Sequence, residues 1–232
     1  MSEDRTSTDD PADGADGAPT SNGTEGASTP SAEDADDAVG DAALPTTGGR
    51  YRVLPAAGGV RPFLDVDDGY EPTGVRAGEG ALADAAPDAG NLVDATLAWV
   101  DGEAVAREVS VVRRTRYAFA DGVTDLFEAA REAFREAEAA GDGVNSRVTR
   151  STDGEPNGVV YTFAEPPGRD LFDEFRRGHR PIDPLVDRVN EARGADERAA
   201  FVLRPTALSC VVVYVVFRPD GILAETVRDT YL

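Results

Sequence analysis

After residue 50 apolar and polar positions alternate, and near the middle of the chain the period lengthens. YRVL, RPFLDV and TGVRA, with a turn at Asp67-Asp68-Gly69 after the second, read as three short strands. A Gly/Ala/Asp-rich loop over 77–90 leads into LVDATLAWV, which returns through Asp101-Gly102 into EAVAREVSVVRRTRYAFA. An Asp-Gly pair between alternating runs predicts a tight hairpin, because both residue types tolerate a positive φ. Five strands joined by short turns predict a small, partly closed antiparallel barrel.

From Val123 the spacing becomes helical: Leu126, Phe127, Ala130, Phe134 and Ala137 recur on one side, charged residues fall between them, and Gly141 stops the run. A hairpin follows, NSRVTRS and GVVYTFA around the turn from Asp153 to Gly158. Two short helices come next, over 169–177 ending at Gly178 and over 185–193. The second has Asp183 as N-cap, Pro184 in the first helical position and Gly194 beyond its end. AFVLRP and LSCVVVYVVF form another strand pair. Both alternating sets of the latter are apolar, which places it centrally, buried on both faces. After Pro219-Asp220-Gly221, ILAETVRDTY reads as a closing helix. The predicted fold class is therefore α+β: a barrel-like β lobe over 50–120, then an antiparallel sheet covered by helices over 121–232.

Charge changes the reading of the N-terminus. Residues 1–49 carry twelve acids against Arg5 alone and no aromatic residue, so a disordered acidic tail is expected there. The opening MSEDRTSTDD is followed by no apolar run, which argues against a signal peptide and for a cytoplasmic location. The whole chain has a formal net charge of −21, and residues 50–232 hold 32 acids and 22 arginines. All 23 basic residues are arginine, lysine and glutamine are absent, and Ile182 and Ile222 are the only isoleucines. Such a composition looks like that of a haloarchaeal cytoplasmic protein. At about 1 M salt the Debye length is only about 3 Å, so the self-repulsion is screened, and dilution is expected to unfold residues 50–232.

The same composition removes whole classes of chemistry. Without lysine there is no Walker lysine, no Schiff base and no lysine general base. One cysteine, Cys210, excludes a disulfide scaffold, and with one histidine, His179, it excludes a His/Cys zinc set within one chain. The longest strongly apolar stretch, 211–217, is far shorter than the roughly 20 residues of a membrane-spanning helix. No metal and no cofactor is predicted. Asp65-Val66-Asp67-Asp68-Gly69 departs from a calcium loop, its glycine coming early and Arg76 standing where the bidentate Glu belongs. Gly78-Glu79-Gly80-Ala81-Leu82-Ala83 matches a loose dinucleotide fingerprint, but Pro87 and Gly90 are expected to leave no room for the helix it needs.

Three sets of side chains are candidates for a site. Asn145, Arg147, Thr149, Arg150, Asp153 and Asn157 concentrate hydrogen-bonding groups on one hairpin, where two guanidinium forks suit an anionic or polar ligand. Turns are also polar for backbone reasons alone. Arg113, Arg114 and Arg116 with Tyr117 interleave cations and an aromatic, as a single-stranded nucleic-acid groove requires and as an edge strand with snorkelling arginines also looks. His179, among Arg176, Arg177 and Arg180, is a general-base candidate near Ser146 or Ser151, or else an exposed loop histidine. Cys210, in mid-strand among apolar residues, reads as an inert core thiol.

The runs NSRVTRSTDGEPNGVVYTF, RDLFDEFRRG, LAETVRDTY, VDATLAWVDGEA and RRTRYAFADGVTDLFEAAREAF resemble those of a small haloarchaeal family, a domain of unknown function, over about 50–232. The resemblance implies a lineage and brings no activity, cofactor or catalytic residue. The function expected from the residues is that of a non-enzymatic binding or adaptor protein. It would contact a protein or a polar small molecule through the 145–158 hairpin. The alternative is binding of RNA or single-stranded DNA through the barrel-like lobe, with net charge and salt against it. A metal-independent hydrolase or transferase built on Asp, Glu, Ser and His179 is the third reading.

Overall fold

The computed structural model describes residues 44–78, 80–194 and 196–232, and most of the segment read as an acidic tail lies outside them. Five strands, β1 (Thr46–Val53), β2 (Val60–Asp65), β3 (Pro72–Arg76), β4 (Leu92–Val100) and β5 (Glu103–Arg113), close a barrel in the order β1-β2-β3-β5-β4. Closure comes from β1, which pairs antiparallel with both β2 and β4. The barrel is antiparallel except at β3 and β5, which run parallel. Its interior is filled by Tyr51, Val53, Phe63, Val75, Val93, Leu97, Ala104 and Ala106. Asp101 and Gly102 both take positive φ, 51° and 83°, so the β4–β5 turn is the tight hairpin that its two residues predict.

Two features of this lobe escape the hydrophobic pattern. β1 starts at Thr46, inside the stretch read as tail, because its first residues include Gly48 and Gly49 and lie exposed against β4. The 77–90 loop contains a helix, α1 (Gly80–Ala85), whose Leu82 reaches the barrel core. This overturns the expectation that Pro87 and Gly90 leave no room for one: six residues are too few to show a helical period. The nucleotide-binding geometry is still not formed, since β4, which follows α1, does not pair with β3.

The rest is a five-stranded sheet in the order β6-β9-β10-β8-β7. Its strands are β6 (Arg116–Val123), β7 (Val144–Arg150), β8 (Pro156–Ala164), β9 (Ala199–Pro205) and β10 (Cys210–Val216). β10 is buried at every position and lies in the centre, as its doubly apolar alternation requires. One edge is parallel, β6 beside β9; the other pairs are antiparallel. The helices are α2 (Glu128–Ala140), α3 (Leu171–Arg177), α4 (Asp183–Arg193) and α5 (Ile222–Tyr231). α2 and α5 cover one face through Ala130, Phe134, Ala224 and Val227. The opposite face receives α3 and α4, and also Leu54 and Leu64 from the barrel, so barrel and sheet share a core within one unit, Ala43–Leu232.

The run from Glu103 to Ala120 is two strands, not one. β5 ends at Arg113 in the barrel and β6 starts at Arg116 in the sheet. No turn residue marks the crossing. What enforces it is tertiary: Thr115 is fully buried, and the Asn91 side chain donates to its carbonyl at 3.1 Å. The expected N-cap also differs, because Asp183 is the first residue of α4 and its carboxylate faces Arg52 instead of capping.

Candidate functional site

The polar groups of the 145–158 hairpin are largely spent inside the molecule. Asn145 Nδ2 donates to the Ala133 carbonyl at 2.9 Å, and Arg147 pairs with Glu132 and Glu136 of α2. Thr149 Oγ1 donates to Asn157 Oδ1 and lies 2.8 Å from the Tyr214 hydroxyl. Alternation does place Asn145, Arg147 and Thr149 on one face, and that face is turned onto α2 and Tyr214. Arg150 donates to the Gly154 carbonyl across the turn, and Asp153 stands exposed at its tip. These contacts fasten the hairpin to the helix.

The opposite face of β7 is open. β7 is an edge strand, and Val144 and Val148 are 48% and 46% exposed. Their register partners on β8, Phe163 and Val159, continue the same face into the core under α3 and α4.

In the Arg113 cluster, Arg116 pairs with Asp220 and Arg114 is exposed. Tyr117 is buried: its ring lies under the Arg52 guanidinium at 5.5 Å and its hydroxyl donates to Asp183 Oδ2 at 3.3 Å. No face of this ring is free for a base. Arg52 itself donates to Asp183 Oδ1 and to the Gly90 carbonyl, both at 2.7 Å. Burial works against the charge on Arg52, but Tyr117, Asp183 and Asp187 more than offset it, and its pKa stands above the usual guanidinium value. Burial likewise pushes the Tyr117 phenol well up. This buried centre joins β1, the start of β6 and α4, and no short-range motif announces it: Arg52 and Asp183 are 131 residues apart.

His179 lies exposed at the rim of a cleft of about 420 Å³ under the end of β8, bounded by Phe163, Arg169, Glu174, Phe175, Arg180 and Leu185. Neither Ser146 nor Ser151 lines it, so the cleft does not bring either serine to the histidine. Cys210 is fully buried, and burial pushes its thiol up to about 12, an inert core group as expected. At the Asp65 turn the carboxylate accepts from the Asp67 and Asp68 amides at 3.0 and 3.1 Å. Among the described residues no group of three or more His, Cys, Asp or Glu side chains is placed to hold a metal ion. No described helix is long and apolar enough to cross a membrane.

These features define a class: an α+β protein in which a closed five-stranded barrel packs on a helix-covered sheet. The chain belongs to a family of unknown function (DUF6663), whose model matches residues 43–232. No curated protein and no solved structure matches it.

Proposed function

We propose that this is a non-enzymatic binding protein that takes an extended, acidic segment of a partner protein along β7. One observation carries the reading: an edge strand whose inner face is closed on α2 leaves Val144 and Val148 uncovered on the other. Edge strands are commonly blunted by proline, charged side chains or a bulge. From Val144 to Thr149 β7 has no proline, its one register shift falls between Thr149 and Arg150, and its one charge, Arg147, is turned inward and paired with Glu132 and Glu136. An added strand would gain backbone hydrogen bonds and rest alternate side chains on the two valines. Charge complementarity selects an acidic partner. Arg150 has no carboxylate at ion-pair distance among the described residues, nor has Arg188, which acts on Tyr161, the β8 partner of Ser146.

The test uses a blocked peptide of alternating valine and glutamate, and the same peptide N-methylated at alternate amides, in molar KCl. Amide exchange at 144–150 should slow with the first peptide and not with the second. Equal effects, or no protection at β7, would remove the reading.

A nucleic-acid reading draws support from the barrel, because five-stranded barrels with this kind of Greek-key connectivity are known oligonucleotide scaffolds. It loses Tyr117 as a stacking platform and Arg116 to Asp220. Failure to retain single-stranded oligonucleotides at roughly 2 M KCl, where screening is nearly complete, counts against it. The all-arginine, acid-rich composition supports a salt-filled haloarchaeal cytoplasm as the setting for either reading.

A further inference from the structure

We infer that the cleft at the turn between α3 and α4 is a binding site for a carboxylate carried on an apolar body. The inference stands apart from the β7 reading and rests on Arg180.

The Arg180 guanidinium lies over two rings, 5.3 Å from the Phe163 centroid and 5.7 Å from that of Phe175. Aromatic carbon therefore covers a half-buried cation whose N–H edge has no carboxylate or carbonyl partner among the described residues. In a chain with 44 acids and 23 arginines, a nearby acid is easily supplied, and the neighbouring Arg169 has one: Glu174 accepts from it in a fork at 2.7 to 3.0 Å. A guanidinium rested on aromatic carbon with its N–H groups left unpaired suits a planar, two-oxygen acceptor.

Charge and shape narrow the ligand. Among the arginines and carboxylates that line the cleft, Arg169 and Arg180 against Glu174 leave one net positive charge, which matches a monoanion better than a phosphate dianion. Leu185, Pro181 and Pro184 line the rest, so an apolar group attached to the carboxylate finds a wall to rest on.

The cleft is preformed. Gly178 takes φ +85° directly after α3, and a Cβ there would stand 2.5 Å from Leu64 Cδ1 and 2.8 Å from Leu54 Cδ1. The barrel therefore presses on the turn that carries Arg180. The Arg180 amide donates to the Glu174 carbonyl at 3.1 Å, and Ile182 anchors the far side in the core. A side chain held this way needs little ordering on binding.

The experiment is calorimetric and NMR titration of the full chain in molar KCl with benzoate, benzamide and inorganic phosphate. Benzoate is expected to shift resonances of residues 163–185 and to bind at least about tenfold more tightly than benzamide, since only the anion engages the fork. Phosphate is expected to bind more weakly than benzoate; a preference for phosphate overturns the assignment of a carboxylate. Arg180→Met, which keeps an apolar cover on both rings, should lower benzoate affinity by about tenfold or more. Arg169→Ala leaves Arg180 in place but strands the Glu174 charge in the cleft, and should weaken benzoate as well; it serves if Arg180→Met does not fold. Benzoate affinity unchanged in the folded variants, equal affinity for benzamide, or no binding to the folded wild-type chain would overturn the inference.

Discussion

Arg52→Met removes the cation from the buried centre and leaves the Asp183 carboxylate, 2% exposed, without its charge partner. The same change takes the donor from the Gly90 carbonyl and the cover from the Tyr117 ring. Breaking a buried pair from one side costs about 3–5 kcal/mol, because the remaining charge stays desolvated. At this chain length each kcal/mol moves the midpoint by roughly 2–4 °C, so a loss of about 4 kcal/mol lowers Tm by roughly 8–16 °C. Urea unfolding in molar KCl, followed by circular dichroism and by fluorescence of the single tryptophan, Trp99 in β4, measures it. The double variant Arg52→Met with Asp183→Leu should be more stable than Arg52→Met alone, since no charge is left buried and the cost belongs to the widowed partner. A single-variant loss under about 1 kcal/mol, the range of an exposed pair, or a double variant carrying the sum of two losses, would refute this account.

Gly90→Ala should be among the most disruptive small changes, at least about 3 kcal/mol: φ is +93°, and a Cβ would stand 2.4 Å from the Tyr117 amide nitrogen, backbone that cannot turn aside. Burial, then Asp183, raises the Asp187 pKa, so the folded chain holds that proton more tightly than the unfolded one. Stability should therefore fall as pH rises from the ordinary carboxylate range through the raised value. Asp187→Asn should abolish that fall, leaving the variant more stable than the native chain by under about 1 kcal/mol at pH above the raised value, read from urea midpoints across pH. Asp121, through its hydrogen bond with Arg204, and Asp170, through the Asp173 amide and then Arg204, sit below the usual carboxylate range. Their contribution is present above the unfolded value and lost as pH falls through the depressed ones, so Arg204→Met should move the acid-unfolding midpoint upward. A thiol reagent should label Cys210 only at the rate of unfolding; fast labelling of the native chain would contradict its burial.

Elements whose signal is local were legible. β10, buried on both faces, and α2, amphipathic with Gly141 in the left-handed conformation after it, follow from period and punctuation alone. So does the Asp101-Gly102 hairpin. Where tertiary contact decides, local pattern was silent or misleading. The crossing at Thr115 and the six-residue α1 carry no period, and Asp183 has every local credential of an N-cap but is claimed by Arg52 from across the chain. The candidate hairpin shows the limit most clearly. Alternation sorts Asn145, Arg147 and Thr149 onto one face and Val144 and Val148 onto the other, but what lies opposite each face is set by where α2 packs. The polar face is the closed one and the apolar face the open one.

An excess of carboxylates makes the pairing of arginines informative. Exposed guanidiniums such as Arg107 and Arg114 lose little by remaining in water, and an ion pair at such a site would add at most about 1 kcal/mol. Arg113, half-buried, acts on Asp187, and Arg52 has Asp183. Arg180 differs from all of these: it is half-buried against two phenylalanine rings, with no acid brought to its edge. Desolvating a cation without a counter-charge costs stability, and the surplus of acids means that nothing in the composition forces that cost. A fold that holds such a group on a turn pinned by Gly178 leaves the counter-charge to be supplied from outside the chain.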